Sequence, residues 1–381
     1  MMNTGIEIEF WVVNDDGRLC NGHDLTDAHD KVEPEFVGPL IEVRTDPHET
    51  ATALRRDLQD TLRKTIQYAD TLEKQLVPLG TPLTDATVPA KKGRGHLFED
   101  IYEDGVKSAK NCAGTHVHFE KGNVCRQLNL LTALDPALAL VSSSPYYCGE
   151  REVDSSRAAA YRKKCGSDFE RYCDLRGYAD NVEAWNEQTE DAYEAFKTLA
   201  AERGVAEEDV CEHFSAENTV LNPVRLRHEQ PTVEWRAPDS TLPSQAVQLA
   251  MDVRDVVTQT ETKPLEIGTT GVQFDRIGVP TFEQLQSVSQ QAIRWGLDSG
   301  MVCNYLEAMG FDPSAYEPIS QELRGPGTLK ESEARTIRRQ YADRLRADVE
   351  LLATPAPPRA GGDGNLMAGH TRQVADADSN V

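Results

Sequence analysis

Positive charge is scarce in this 381-residue chain: 40 Lys and Arg against 63 Asp and Glu leave a formal net charge of −23. Nucleic acids and anionic membranes are held by clustered Lys and Arg, so neither is expected as a partner. Paired cysteines are missing too. The eight cysteines, at 20, 112, 125, 148, 165, 173, 211 and 303, include no CxxC pair. That argues against a disulfide framework or a structural zinc and for free thiols in a reducing compartment. No apolar run is long enough to span a bilayer, and no signal segment precedes the first acidic stretch, so a soluble cytoplasmic protein is expected. The acid excess is spread along the chain and Arg outnumbers Lys. Such a surface suits a halophilic cell, where dense salt screens self-repulsion.

What the chain does have is four short stretches that put charge on one face of a strand and apolar side chains on the other. In Gly5-Ile6-Glu7-Ile8-Glu9-Phe10, the period of two sends Glu7 and Glu9 one way and Ile6, Ile8 and Phe10 the other. Ile41 to Arg44 repeats the pattern with Glu42 and Arg44, Thr115 to Phe119 with His116 and His118, and Thr232 to Arg236 with Glu234 and Arg236. If the four share one sheet, its polar face holds four glutamates, two histidines and two arginines. Carboxylates at that density repel, so cations are expected there.

Between these strands run amphipathic stretches. Asp46 and Pro47 suit a cap and a first helical position, and Leu54, Leu58, Leu62, Ile66, Ala69, Leu72 and Leu76 follow at spacings of three and four. Further helices are expected around 126–141, 182–202, 244–260, 281–297 and 332–352. Val224 to Arg227 and Thr232 to Arg236 read as a hairpin around His228-Glu229-Gln230-Pro231, with Arg225 and Arg227 on one face. The reading is one α+β domain over 1–352 and a disordered polar tail over 353–381.

Each candidate has a structural competitor. Alternation is also what a half-exposed strand shows, but Glu is disfavoured in strands, and two at i and i+2 make a chelating face. Glu49, three residues after Asp46, fits a capping box as well as it fits a metal. A lone histidine is best read as core, whereas two on one strand face favour a ligand. Glu234 and Arg236 can pair across strands, as can Arg44 with Glu42 or Glu9. Gly93-Arg94-Gly95 is too weak a pattern for a phosphate loop.

The motifs GIEIEFWVV, IEVRTDPHET, CAGTHVHFE, SSSPYYCGEREVDSSRAAAYR and VRLRHEQPTVEWRAPDS, in this order, resemble the glutamate–cysteine ligase family, in the branch of plant-type enzymes and bacterial carboxylate–amine ligases. The likeness runs to about residue 260. It implies a glutamine synthetase-like catalytic domain, an antiparallel sheet funnel with flanking helices, that uses ATP and magnesium to form an amide. By that resemblance Glu7, Glu9, Glu42, Glu49, His116 and Glu234 are metal ligands. His118, Arg225, Arg227 and Arg236 lie with the nucleotide, Arg236 beside the transferred phosphate. Arg157, Arg162 and Arg44 are candidates for binding substrate. Magnesium prefers oxygen, so His116 also admits manganese.

The function implied is ligation of the glutamate γ-carboxylate to the cysteine amine through a γ-glutamyl phosphate. The competing readings are a carboxylate–amine ligase with another acceptor, a nucleotide-independent metal hydrolase, and a silent metal-binding protein. One expectation follows from charge alone: raising KCl from dilute buffer to molar concentration should raise the melting temperature, and a flat profile would argue against a halophilic origin.

Overall fold

The computed structural model describes residues 2–86, 94–164, 173–219 and 221–353. Strand β1 (Thr4–Asn14) is the axis of the fold, and its β-branched and aromatic residues suit an extended chain. It ends in a turn at Gly17, whose φ of 75° favours glycine and whose missing Cβ leaves room for the Arg335 backbone. Strands β2 (Val32–Pro34), β3 (Leu40–Arg44), β4 (Lys74–Val77) and β5 (Thr115–Glu120) are followed by a two-residue ladder, β6 (Tyr146–Tyr147) with β7 (Glu150–Arg151). Then come β8 (Val224–Leu226) and β9 (Thr232–Trp235). Seven of these form one sheet in the order β2-β3-β1-β5-β9-β8, with β4 also on β1, and every pairing is antiparallel. The α+β class and the shared sheet are as expected.

Register decides which side chains meet. Glu7 lies opposite Arg44 on one side and His116 on the other, and Glu9 lies opposite Glu42. His118 faces Glu234, which faces Arg225. The alternate residues Ile6, Ile8, Phe10, Ile41, Val43, Val117, Phe119, Val233 and Trp235 are buried in the main core. Helices Ala51–Thr71, Val124–Ala133 and Pro243–Val257 supply its other wall through Leu54, Leu58, Leu62, Leu128, Val247 and Leu249. Beyond Glu9 the charged face of β1 turns apolar. Trp11 and Val13 join a second core with Leu40, Val77, Leu79 and Tyr341, and the Trp11 indole N–H donates to the Leu79 carbonyl at 2.9 Å.

Several boundaries differ from the sequence reading. The helix expected from Pro47 begins at Ala51, capped by the Thr50 hydroxyl, which accepts from the Ala53 N–H at 3.2 Å. Backbone pairing of His48 with Thr4 and of Thr45 with Ile6 keeps the chain extended up to that point, so Asp46 cannot cap and instead pairs with Lys31. The helix stops at Thr71, and Glu73, at φ 54°, turns the chain into β4, so Leu76 is a strand residue. The stretch 126–141 is two elements, Val124–Ala133 and a 3₁₀ turn Asp135–Val141 with Pro136 at its start. The helices expected around 182–202, 244–260, 281–297 and 332–352 are Val182–Glu202, Pro243–Val257, Phe282–Trp295 and Glu331–Leu351. A three-stranded sheet of β10 (Leu265–Ile267), β11 (Gly271–Val272) and β12 (Ile277–Val279) was not anticipated. The expected disordered tail lies outside the described residues except for Ala353. No single described helix is long and apolar enough to cross a membrane.

The cap assignment is testable. Thr50→Ala should cost about 1 kcal/mol of stability, whereas Asp46→Ala, at an exposed ion pair, should change it by less than about 0.5 kcal/mol. Urea unfolding of the two variants compares them, and the reverse order would place the helix start at Pro47.

Candidate active site

The polar face of the sheet opens into a cleft of about 540 Å³. The sheet order sorts its charges. Glu33 and Glu42 come from β2 and β3, Glu7 and Glu9 from β1, the two histidines from β5, and Arg225 from β8. Arg227 and Arg236 flank the last two strands on the same side. One half of the face is therefore acidic and the other basic, with imidazoles between.

In the acidic half the carboxylates crowd together. Burial, the larger cause, and the neighbouring charge of Glu35 push Glu9 up to about 8, against the pull of Arg157 and Arg236. Burial and the charges of Glu7, Glu35 and Glu9 push Glu42 well above the usual carboxylate range. Glu7 goes the other way: burial opposes ionisation, but hydrogen bonding and charge from His116 and His118 hold it well below its usual value. His116 is 2 % exposed, and burial with the nearby Arg236 pulls it down to about 3, so its ring is neutral near pH 7. Its Nδ1 lies 3.4 Å from a Glu7 oxygen and its Nε2 3.7 Å from Glu9.

These groups fit a cation. Glu7, His116 and Glu234 form one set whose ligand atoms lie within 4.8 Å of each other, and Glu9, Glu42 and His116 form another. The buried His116 Nε2 has no hydrogen-bond partner, and Glu9 stands directly across the sheet from Glu42, an arrangement that is unfavourable unless a cation lies between.

The basic half is built around Glu234, which is fully buried. Its oxygens accept from Arg225 at 2.8 and 2.9 Å, from Arg227 at 3.1 Å and from Arg236 at 2.5 Å. Burial alone would raise its pKa, but the charges of Arg225 and Arg236 hold it well below the usual range. Arg236 also reaches the His116 Nδ1 at 3.2 Å.

Not every residue expected at the site is there. Glu49 is exposed, immediately before the Thr50 cap, and is neither in the cleft nor in a capping box; its carbonyl accepts from Arg254 at 2.7 Å. Extended pairing of residues 45–48 along β1 carries it past the polar face. Arg162 makes a bidentate pair with the buried Asp135 at 2.6 and 2.9 Å, so its guanidinium is committed to the core. Arg157 is buried beside the cleft, donating to the carbonyls of Arg236 and Ala237, with its Nε unpartnered. Arg44 lines the cleft but pairs with Glu33 at 2.7 Å rather than with Glu42 or Glu9. His118 sits between Thr232, at 3.1 Å, and Glu7, at 3.2 Å.

The structure adds cleft residues that the sequence reading missed: Glu33, Glu35, Arg94, Lys110 and Tyr161. Glu33 and Glu35 repeat the i, i+2 spacing of Glu7 and Glu9, and that signal was available. Arg94 opens the helix Arg94–Tyr102 on the opposite wall, its guanidinium 5.3 Å from the Phe98 ring centre, and only the tertiary fold brings it there. Gly93 lies outside the described residues.

An antiparallel sheet face that sets converging carboxylates and imidazoles against guanidiniums is chemically suited to take up cations and anionic groups together. The chain belongs to glutamate-cysteine ligase family 2, whose pattern matches residues 3–264. A protein of Ruegeria pomeroyi provisionally named glutamate–cysteine ligase 2 is 26% identical over 252 residues. The match takes in 62% of this chain and 59% of that relative's length. Among solved structures, a bifunctional glutathione synthetase from Pasteurella multocida aligns with a TM-score of 0.49 at 14% identity, over 91% of this chain and 52% of that one. A glutamate–cysteine ligase from Francisella tularensis in complex with AMP aligns with 0.44 at 14% identity, over 93% and 95%.

The raised Glu9 pKa has a measurable consequence. A carboxyl whose folded pKa exceeds its ordinary 4.5 favours the folded state below 4.5 and loses that contribution as pH rises through about 8. The metal-free chain should therefore lose stability across that window, and magnesium or manganese should restore it. Near pH 7 the bound cation must expel the Glu9 proton. Calorimetry in buffers of different ionisation heat should show proton release at pH 7 that fades above pH 9, with affinity rising up to about pH 8; pH-independent affinity would remove Glu9 from the ligand set.

Proposed function

We infer that this chain joins the γ-carboxylate of glutamate to the amine of cysteine at the expense of ATP, through a γ-glutamyl phosphate. The observation that carries the reading is the division of one sheet face into an acidic half and a basic half on either side of the strand that bears the two imidazoles; family membership supports it. A carboxylate does not react with an amine near neutral pH, because its leaving group is too poor, so it must first be phosphorylated. Transfer of a phosphoryl group between two anions needs charge neutralised on both sides of the moving group.

Each half of the cleft serves one side of that requirement. Glu7, Glu9, Glu42 and His116 are the residues to hold magnesium, or manganese, which neutralises phosphate charge when bound. Arg236, with Arg225 and Arg227, provides planar donors for the phosphoryl oxygens. A γ-carboxylate oxygen attacks the terminal phosphorus and ADP leaves. The acceptor amine then attacks the acyl carbon, loses its proton and expels inorganic phosphate. In this scheme the residues align and neutralise, and none acts as a covalent nucleophile. Glu7 holds its charge near neutral pH and stands beside the reacting groups, where it keeps His116 oriented. Arg157, the one substrate-binding candidate buried beside the cleft without a carboxylate on it, is the best placed to hold a substrate carboxylate.

Glutamate labelled with heavy oxygen in its γ-carboxyl should pass one labelled atom into inorganic phosphate for each amide formed. A metal hydrolase makes no such transfer, and an adenylating ligase puts the label in AMP. Running the assay over a panel of amines distinguishes cysteine from other acceptors. Arg236→Lys keeps the charge but loses the fork, so turnover should fall far more than glutamate affinity; unchanged turnover would remove Arg236 from phosphoryl stabilisation.

A further inference from the structure

In the described structure the three arginines best placed to grip phosphate are already occupied. Arg225, Arg227 and Arg236 all line the cleft, and all donate to the carboxylate of Glu234 beneath them. Glu234 is at the same time one of the cation-ligand set, 3.8 Å from the His116 Nδ1. Its oxygens cannot accept three guanidiniums and face a metal ion together. Nor can the guanidiniums turn to a phosphate without leaving Glu234. A buried carboxylate that loses its guanidiniums and gains nothing is strongly unfavourable, so either ligand arriving alone must work against these contacts.

We propose that Glu234 is a latch that couples cation binding to phosphate binding: it restrains the three arginines until a divalent cation takes its carboxylate. When the cation replaces the guanidiniums on Glu234, they are released towards the cleft, where a phosphate meets them unpaired. When phosphate draws the arginines away first, Glu234 is left as a free anion that attracts the cation. Whichever ligand binds first overcomes the contacts for the second, so the coupling is positive and reciprocal. Two features mark Arg227 as the hinge of the latch. It is the most exposed of the three, its side chain 19 % accessible, and its Nε already donates to a second carboxylate, Glu217, which keeps it paired when its contact with Glu234 is given up. Arg225 and Arg236, more deeply set, have no other carboxylate within ion-pair distance among the described residues.

The proposal rests on the reading of the cleft as a site for a cation and phosphate groups, and the test separates the two. Binding of manganese and of inorganic phosphate to the full chain is measured by calorimetry, each alone and each in the presence of the other. Inorganic phosphate is chosen because it holds divalent cations only weakly in water. In the native chain, saturating either ligand should tighten the other by on the order of 5- to 150-fold. In Glu234→Gln, phosphate without metal should bind more tightly than in the native chain, and the coupling should fall towards one. Simple attraction between cation and anion predicts undiminished coupling in that variant, and this result overturns the latch while leaving the site reading intact. If neither probe binds the native chain, the latch and the site reading fall together. Because Glu234→Gln leaves three buried guanidiniums without their carboxylate and risks unfolding, Arg227→Gln provides a second arm. It leaves two guanidiniums on Glu234, so the chain should fold and the coupling should shrink in part. Undiminished coupling there also overturns the proposal.

Discussion

Antiparallel register on both sides of β1 places Glu7 and Glu9 against Arg44, Glu42 and His116, and the organisation of the cleft depends on that alignment. A shift of one residue on either side would send Glu7 and Glu9 into the apolar core and Ile6, Ile8 and Phe10 into the cleft. The apolar face fixes the register, since Ile8, Phe10, Ile41 and Val43 are wholly buried there. Core packing therefore holds like charges together that would separate in a freer chain. Burial first, and crowding with it, pushes Glu9 and Glu42 up, and that cost is offset when a cation or a proton enters.

The same constraint explains the opposite character of the two halves. Around Glu234 the positive groups outnumber the carboxylate, and the surplus faces the cleft. Around Glu9 and Glu42 the carboxylates outnumber the cations. Each half is mismatched by itself, and a cation bound to an anionic phosphate group complements both at once. Such built-in mismatch is characteristic of binding sites, where stability yields to function.

Much of this was legible in the residues. Alternation in four short stretches located the polar face and its core face, and both occur as read, with Glu7, Glu9, Glu42, His116 and Arg236 in the cleft and Glu234 beneath it. Side-chain period along a strand is a local property, so the sequence displays it directly. Two of the failures at the site were matters of competition. Asp46 and Pro47 make a sound helix start, but pairing of Thr45 and His48 with β1 overrides it, and Glu49 leaves the site in consequence. Arg162 has the motif of a substrate-binding residue, but Asp135, 27 positions away, takes its guanidinium inside the core.

By itself the sequence determined strands β1, β3, β5, β8 and β9, the faces of their side chains and most helices. These follow from the spacing of apolar residues, which acts over a few positions. Only the tertiary structure decided which charges meet. It set Glu9 across from Glu42, gathered Arg225, Arg227 and Arg236 on one carboxylate, brought Arg94 to the opposite wall and gave Arg162 to Asp135. Charge pairing depends on distances between segments far apart in the chain, and those distances exist only once the core has packed.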